Sequence, residues 1–273
     1  MSDDGTRVED GEGRSRVAVV TGAARGIGAA TVRALDAAGW SVVAVDRASP
    51  DPRLPYPMAS PADLDAVVTA TSDRVVGIVA DATDEPAMAA AVARAEADFG
   101  GLDAVVAVAG VIAGGVPLWE LPTAALAAVL DVDLLGPIVA ARVGVPALLR
   151  RPEPRHGRYL AVASAAATRG MPLLAADGAA KAGVAGLVRG LAAELAGTGV
   201  TANAVSPGST DTAMLEESAR LYGLEGPERF AVQQPVGRLL QPEEVAAALV
   251  WLAGPDAGAL TGAVIPVDGG LSL

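Results

Sequence analysis

Three glycines form the clearest chemical motif of the sequence, Thr21-Gly22-Ala23-Ala24-Arg25-Gly26-Ile27-Gly28. The motif follows the β-branched run Val17-Ala18-Val19-Val20 and leads into an alanine-rich segment of helical length. Glycines at such a turn let the backbone approach a pyrophosphate, and the free N–H groups of the helix N-terminus favour its charge. Because the chain contains 32 glycines, the spacing alone is weak evidence, and the prediction of a dinucleotide site rests on this context.

Asp46 lies eighteen residues after Gly28, at the end of the second predicted strand. A carboxylate there accepts hydrogen bonds from both ribose hydroxyls of NAD and repels the additional phosphate of NADP. The adjacent Arg47 could instead contact that phosphate, so NADP stays open as the less favoured cofactor. The sequence predicts NAD.

The elements that would position these residues alternate along the chain. Short β-branched runs predict seven strands: Arg16–Thr21, Ser41–Asp46, Val75–Ala80, Ala104–Ala109, Arg158–Ala163, Val200–Val205 and Ala263–Val267. Alanine-rich segments between them predict five helices: Ile27–Ala38, Glu85–Phe99, Thr123–Leu149, Ala179–Ala196 and Pro242–Leu252. This alternation indicates an α/β fold, a doubly wound Rossmann-type parallel sheet of about seven strands with helices on both faces.

The domain organisation is expected to be simple. A chain of 273 residues can bury one large core, and no repeat or low-complexity linker divides it. Residues 1–15 are predicted to be a disordered acidic tail, and residues 16–273 a single domain. Two segments depart from the alternation: an insert at 47–72 with five prolines, and a segment at 209–235 of the length expected for a substrate lid.

Composition excludes several classes of function. The net charge of −12 disfavours nucleic acid and anionic membranes as partners. The absence of cysteine excludes disulfides, thiolate nucleophiles and zinc–thiolate sites, fits a cytoplasmic location, and leaves no predicted metal site. With 52% hydrophobic but only 3% aromatic residues, the core must consist of Ala, Val and Leu. No stretch predicts a signal peptide or a membrane span.

From Arg16 to the C-terminus the chain resembles the short-chain dehydrogenase/reductase family. The matching positions occur in order: the Gly22–Gly28 loop, Asp46, Asp81, Ala109-Gly110, Ser164, Lys181, Pro207-Gly208 with Thr212, and Asp268-Gly269-Gly270. The resemblance implies a set of cofactor-binding residues: Gly22, Arg25, Gly26, Ile27, Gly28, Asp46, Arg47, Asp81, Ala82, Ala109, Gly110, Lys181, Pro207, Gly208, Ser209 and Thr212.

A narrower resemblance is to the mycofactocin-coupled subgroup. It rests on the insert with Leu54-Pro55-Tyr56-Pro57, on Val111-Ile112-Ala113-Gly114-Gly115, and on Val205-Ser206-Pro207-Gly208-Ser209-Thr210. This resemblance implies an insert that lies near the cofactor and hinders its exchange, together with a mycofactocin-type redox partner. The family also implies a tetramer assembled through the two long helices.

The family's chemistry uses four side chains. A serine hydrogen-bonds the substrate oxygen, a tyrosine moves the proton, a lysine lowers the tyrosine pKa and holds the nicotinamide ribose, and an asparagine supports a proton-relay water. Ser164 and Lys181 occupy two of these positions. The tyrosine position, four residues before the lysine and thirteen after the serine, is Asp177, and the asparagine position is Asp133. The tyrosine is missing.

An aspartate at position 177 changes the expected acid–base chemistry. Its pKa starts at about 4, and Lys181 should lower it further, so Asp177 is expected to be a poor proton donor. Its side chain is shorter than tyrosine by roughly one ring. The i, i+4 spacing predicts an ion pair between Asp177 and Lys181. Alternatively, Asp133 and Asp177 meet near Ser164 and either share a proton or bind a cationic group of the substrate.

Other candidate residues lie in or near the predicted lid. Tyr222 could swing over the substrate, and Met214 and Leu215 should make apolar contacts with it. His156 and Tyr159 lie at the opposite, N-terminal edge of the sheet, and Tyr56 of the insert is interpreted as packing.

Three functions remain open at this point. The first is an NAD-dependent oxidoreductase that acts on an alcohol or ketone of a mostly hydrophobic small molecule. The second is a dehydratase, isomerase or lyase that uses Asp133 and Asp177 as acid and base. The third is a catalytically silent NAD-binding protein.

Overall fold

The structure, a computed structural model, describes residues 15–273. Apart from Ser15, the predicted acidic tail lies outside the described residues. The strands are β1 Val17–Thr21, β2 Ser41–Asp46, β3 Val75–Val79, β4 Ala104–Ala107, β5 Arg158–Val162, β6 Thr201–Pro207 and β7 Val264–Val267. All pair in parallel in one sheet of order β3-β2-β1-β4-β5-β6-β7, which confirms the predicted fold class.

Helices cover both faces of this sheet. They are α1 Gly26–Ala37, α2 Pro61–Thr69, α3 Glu85–Phe99, α4 Thr123–Leu130, α5 Gly136–Leu149, α6 Ala175–Glu194, α7 Ala213–Leu221 and α8 Pro242–Ala253. The core residues of α1, α2 and α8 pack on one face, and those of α3, α5 and α6 on the other. Ala, Val and Leu dominate both clusters, as the composition predicts, because small side chains let helices lie close to a parallel sheet.

The helix predicted over Thr123–Leu149 is interrupted. Between α4 and α5, a π-helical turn spans Asp131–Leu135 and carries Asp133 into the interior. Such turns insert one extra residue and are frequent at functional sites. Hydrophobic periodicity could not reveal it, since the stretch is apolar on nearly all sides.

Two further helices lie where only irregular segments were expected. Helix α2 forms inside the insert, where the Ser60 hydroxyl accepts from the Asp63 N–H and the Asp63 carboxylate accepts from the Ser60 N–H. This capping box, followed by Pro61, was a usable sequence signal for a helix start. Helix α7 forms inside the predicted lid, capped by the Thr212 side chain.

The run Thr123–Leu149 is also, by length and composition alone, apolar enough to cross a membrane, contrary to the sequence-based expectation that no stretch would be. Half of its most apolar window is buried inside the protein, where α4 contacts α6 and α5 contacts α3. In this fold the run forms α4, the π-helical turn and α5, which pack in the core.

The sheet brings the carboxyl ends of β1, β2, β4, β5 and β6 to one edge. Between β1 and β4 the strand order reverses, and helices leave towards opposite faces. Open α/β sheets bind ligands in the crevice at such a switch point.

Candidate active site

A cavity of about 600 Å³ opens along this edge. Its walls contain every residue predicted to bind the cofactor, together with Ser164, Asp177 and the lid residues Met214, Leu215 and Tyr222. Asp133 is the exception among the predicted site residues, because it lies behind the wall. The sequence therefore located the cavity, and the role of each residue within it stays a prediction.

The glycine turn at one end of the cavity has a shape that only glycine permits. Gly22 has a positive φ of 67°, and a Cβ there would lie 2.7 Å from the backbone of Ala109. A Cβ at Gly28 would lie 1.9 Å from the Gly22 carbonyl oxygen. Helix α1 begins at Gly26 without a side-chain cap, so the N–H groups of its first turn remain available to an anion.

Asp46 lies beside this turn and is held in place by the backbone. Its carboxylate accepts from the Ala24 N–H at 3.0 Å and from the Ala48 N–H at 2.8 Å. The side chain lines the cavity, where a carboxylate fits the paired hydroxyls of a ribose.

Arg47, the residue that left NADP open, is engaged by two acidic neighbours. One guanidinium nitrogen lies 2.7 Å from Asp51, and Nε lies 3.5 Å from Asp81. These carboxylates compensate its charge and would oppose an added phosphate. The turn, the free helix N-terminus and Asp46 therefore fit a dinucleotide without a 2′-phosphate.

The insert closes one side of the cavity. Tyr56 lines the cavity, and its hydroxyl oxygen accepts from the Ile112 N–H at 3.0 Å. Burial raises the pKa of Tyr56 to about 12. Arg25 donates to the Pro57 carbonyl at 3.2 Å, and Arg53 bridges Asp51 to Asp131 of the π-helical turn.

The interpretation of Tyr56 as packing is thus incomplete. The ring does pack against an apolar cluster that includes Val111 and Ala128, but it is also part of the cavity wall. The sequence could not place it, because a proline-rich insert carries no signal for where it folds back.

At the other end of the cavity, Ser164 follows β5. Its hydroxyl oxygen accepts from the Ala166 N–H at 3.1 Å, which orients the side chain and leaves its proton free to donate. This arrangement suits a donor to a substrate oxygen or nitrogen.

Lys181 on α6 is buried and forms an ion pair with Asp133. Its Nζ lies 3.1 Å from Asp133 Oδ2 and donates to the Val162 carbonyl at 3.4 Å. The other oxygen of Asp133 accepts from the Val111 N–H at 2.8 Å. Burial raises the pKa of Asp133, opposed by the charge of Lys181. Burial lowers the pKa of Lys181, but the charges of Asp133 and Asp177 outweigh it and leave that pKa raised.

The predicted ion pair between Asp177 and Lys181 is therefore wrong. Asp133 is fully buried, whereas Asp177 faces the cavity, so the lysine is drawn to the carboxylate that has no access to solvent. The π-helical turn brings that carboxylate within reach.

Asp177 itself is 6% exposed and makes no side-chain hydrogen bond to any of residues 15–273. Burial raises its pKa to about 6, with Lys181 opposing and Asp133 reinforcing that shift. The expectation that Lys181 would lower the pKa below its ordinary value is wrong, because desolvation outweighs the attraction of a lysine already paired with Asp133. A carboxyl with this pKa exchanges protons near neutral pH.

Of the remaining candidates, Tyr222 lies at the cavity, and His156 and Tyr159 lie away from it, as the sequence predicts. Tyr222 lines the cavity, donates its hydroxyl proton to the Pro172 carbonyl, and packs edge-on against Phe230. His156 is exposed, and the buried Tyr159 donates to the Pro137 carbonyl at 2.6 Å; neither lines the cavity.

A parallel sheet of this order with a dinucleotide crevice defines a Rossmann-type nucleotide-binding protein, and comparison with known proteins narrows the class. The family model described as Enoyl-(Acyl carrier protein) reductase matches residues 22–272. The chain belongs to the short-chain dehydrogenase/reductase family.

Individual relatives span nearly the whole chain. The cis-4-hydroxycyclohexanecarboxylate dehydrogenase of Sinomonas cyclohexanicum is 40% identical over 260 residues, covering 93% of this chain and 96% of the relative. The crystal structure of carveol dehydrogenase from Mycobacterium avium in complex with NAD is similar with a TM-score of 0.88 and 30% identity, covering 94% and 98% of the two chains. The crystal structure of a short chain dehydrogenase from Mycobacterium paratuberculosis bound to NAD is similar with a TM-score of 0.85 and 30% identity, covering 98% of this chain and 99% of that chain.

Proposed function

We propose that this protein is an NAD-dependent oxidoreductase that acts on an alcohol or ketone of a small, mostly apolar molecule, with Asp177 in the acid–base role. One observation carries the proposal: a single cavity joins the Asp46 cradle at one end to Ser164, Lys181 and Asp177 at the other. Relatives named as NAD-dependent or NAD-bound dehydrogenases support the cofactor and the reaction type.

NAD(H), when bound, would accept or supply the hydride. The chain's own residues would then hold the substrate and move its proton. Ser164 would donate a hydrogen bond to the substrate oxygen. Lys181, fixed by Asp133, would present a permanent positive charge to the nicotinamide ribose, as the family resemblance implies.

Asp177 would exchange the proton of the substrate hydroxyl. With a pKa of about 6, roughly one molecule in ten carries that proton at neutral pH, and the others hold a base. The site is thus better suited to removing a proton, as in alcohol oxidation, than to supplying one.

The lid side of the cavity supports an apolar substrate. Leu174, Met214, Leu215 and Phe230 line it. The named relatives are dehydrogenases of cis-4-hydroxycyclohexanecarboxylate and of carveol, which both carry a hydroxyl group on a six-membered carbon ring, and a ring of that size would fit these walls.

A non-redox reaction is the second candidate. It would use Asp177 as the acid and base, and its support is the raised pKa of Asp177, to which Asp133 contributes. The pairing of Asp133 with Lys181 removes the second free carboxylate that a dehydratase or isomerase would need.

We also propose that the protein is a cytoplasmic tetramer that works with a mycofactocin-type redox partner. The insert supports the redox partner, because it closes one side of the cavity and would slow exchange of a bound cofactor.

The test is a purified-protein assay for bound NAD(H), followed by single-turnover absorbance of the reduced nicotinamide with a panel of cyclic alcohols and ketones. Bound cofactor and an absorbance change with any member support the proposal. Bound cofactor with product formed and no net change in NADH would favour the non-redox reaction. Bound cofactor with no turnover would indicate a silent binding protein.

A further inference from the structure

One carboxylate in the cavity has no hydrogen-bond or ion-pair partner among residues 15–273. Asp177 is more than nine-tenths buried, lines the cavity, and makes no hydrogen bond within the described chain. Lys181, the basic group that lowers the pKa of Asp177, is held 3.1 Å from Asp133. Lys181 and Asp133 compensate each other, so the charge of Asp177 is left over and the cluster carries a net charge of −1 when all three groups are ionised.

The walls around Asp177 offer nothing else to balance that charge. Apart from Lys181, the basic residues among those lining the cavity are Arg25 and Arg47, both at the Asp46 end. Arg25 donates to a carbonyl of the insert, and Arg47 is paired with two aspartates. A buried charge without a counterion is costly, so a cationic ligand would relieve this site and a neutral one would not.

We propose that this site also acts on carbon–nitrogen bonds: it binds a small apolar amine or iminium cation against Asp177 and interconverts the two with NAD(H). The inference rests on the proposed oxidoreductase function and adds a substrate class to it. Asp177 would be a catalytic residue because it touches the reacting nitrogen.

The charge of Asp177 suits nitrogen better than oxygen. Reduction of a ketone builds negative charge on oxygen, which an ionised carboxylate nearby repels. Reduction of an iminium ion discharges a cation that the same carboxylate has attracted. The first turn of α6, where Asp177 lies, also favours its ionised form, because the helix N-terminus carries partial positive charge.

The step balances without a further reagent. In the oxidative direction, an ammonium group first passes one N–H proton to the Asp177 carboxylate, which releases it to water in the cavity and is ionised again before the C–H bond breaks. The α C–H bond then breaks, its electron pair leaves as hydride to NAD⁺, and the nitrogen lone pair forms the second C–N bond. The amine is oxidised to the iminium ion and NAD⁺ is reduced to NADH; the reverse sequence returns the proton to the amine.

Binding tests the inference without turnover. Calorimetric titration of the NAD-loaded protein with cyclohexylammonium and with its neutral isostere cyclohexanol should show tighter binding of the cation. Its affinity should rise about tenfold between about pH 5 and 7 as Asp177 ionises, while cyclohexanol shows no such change. The other titratable groups near Asp177 are Asp133, Lys181 and Tyr222, and the raised pKa values of Lys181 and Tyr222 keep those two from titrating in this range.

Matched variants identify the responsible group. Asp177→Asn should abolish the preference for the cation and its pH dependence, while NAD binding and circular dichroism stay unchanged. Asp65→Asn, an exposed position on α2 outside the cavity, removes the same charge and should behave as wild type. Equal affinity for the two isosteres, or a preference that survives in Asp177→Asn, would overturn the inference.

A turnover arm separates this inference from the proposed function. With NADH, we expect 2-methyl-1-pyrroline, which is protonated at neutral pH, to be reduced at least about tenfold faster than cyclopentanone. Reduction of cyclopentanone at an equal or higher rate would overturn the inference and leave the proposed function standing. Reduction of neither, and of no other carbonyl or imine tested, would overturn both.

Discussion

The two ends of the cavity are built on different principles. At the cofactor end, the shape of the backbone determines the arrangement: Gly22 and Gly28 admit no side chain, and Asp46 is held by two backbone N–H groups. At the catalytic end, the balance of charges determines the arrangement: Asp133 and Lys181 form an ion pair, and Asp177 has no ion-pair partner in the described part of the chain. The first end tolerates few residue types at each position, whereas the second can change its chemistry by moving one charge.

This difference explains which residues of the site accept change. A side chain added at Gly22 or Gly28 must displace backbone, whereas Asp177 lines the cavity, so a change of its charge displaces no backbone. The cofactor end therefore fixes the class of protein, and the catalytic end fixes the reaction.

The largest effect is expected from breaking the buried ion pair. Asp133→Ala leaves Lys181 buried without its ion-pair partner and should lower the free energy of unfolding by about 3–5 kcal/mol. Asp177→Ala breaks no pair and should not destabilise the protein at neutral pH. Urea denaturation of the two variants tests this, and similar losses for both would show that Lys181 is shared between the two aspartates.

The role of backbone shape at the cofactor end is tested by a substitution at Gly28. Gly28→Ala places a Cβ 1.9 Å from the Gly22 carbonyl oxygen and should cost about 3 kcal/mol of stability together with NAD binding. Gly186 on the exposed side of α6 is the control, since nothing lies within 4 Å of an added Cβ. Gly186→Ala should stabilise the helix by about 0.5–1 kcal/mol with NAD affinity unchanged. Undiminished NAD affinity in Gly28→Ala would contradict the steric account of the turn.

The isolation of Asp177 predicts a dependence of stability on pH. Its pKa is about 6 in the folded protein and 3.8 as the ordinary value, so the folded state binds the proton more tightly. The stability that this proton contributes is present below about pH 4 and is lost as the pH rises through 6.

The variant Asp177→Asn, which cannot lose a proton there, should therefore be more stable than wild type above about pH 6, by on the order of 3 kcal/mol. The advantage should vanish near pH 4. Denaturation of the cofactor-free protein across that range measures it, and a difference independent of pH would mean that Asp177 has an ordinary pKa.

The smallest effects concern cofactor choice. Asp46→Asn should weaken NAD binding about ten- to a hundredfold, because a charged acceptor of ribose hydroxyls is lost. Arg47→Ala should change NAD affinity by less than about threefold and should not alter the preference for NAD over NADP, since Arg47 is engaged by Asp51 and Asp81. Loss of NADP binding in Arg47→Ala would show that this arginine does reach a phosphate.

The same division separates what the sequence could predict from what it could not. The parallel sheet followed from the alternation of strands and helices along the chain, and the cavity followed from residues at the strand ends. The ion-pair partner of Lys181 could not be predicted, because it depends on the π-helical turn Asp131–Leu135. The apolar sequence around that turn gives no signal for it. The pKa of Asp177 could not be predicted either. The local spacing indicated that Lys181 would lower this pKa, but burial, which depends on the whole fold, raises it.

The place of Tyr56 shows a third limit. No periodicity or motif fixes how an insert of 26 residues (47–72) folds back, although its capping box marked the start of α2. The hydrogen bond between the Tyr56 hydroxyl and the Ile112 N–H links the insert to the segment after β4, and it is seen only in the folded chain.

The most direct test of the central claim, that Asp177 moves the proton in an NAD-dependent reaction, is the pH dependence of single-turnover rates for wild type and Asp177→Asn. In wild type, oxidation should rise with pH and level off above an apparent pKa of about 6, and reduction should fall over the same range, because oxidation needs the base and reduction the acid. In Asp177→Asn, both rates should be much lower and should lose that dependence. Rates in Asp177→Asn that match wild type at every pH would contradict the account and place the proton on another group.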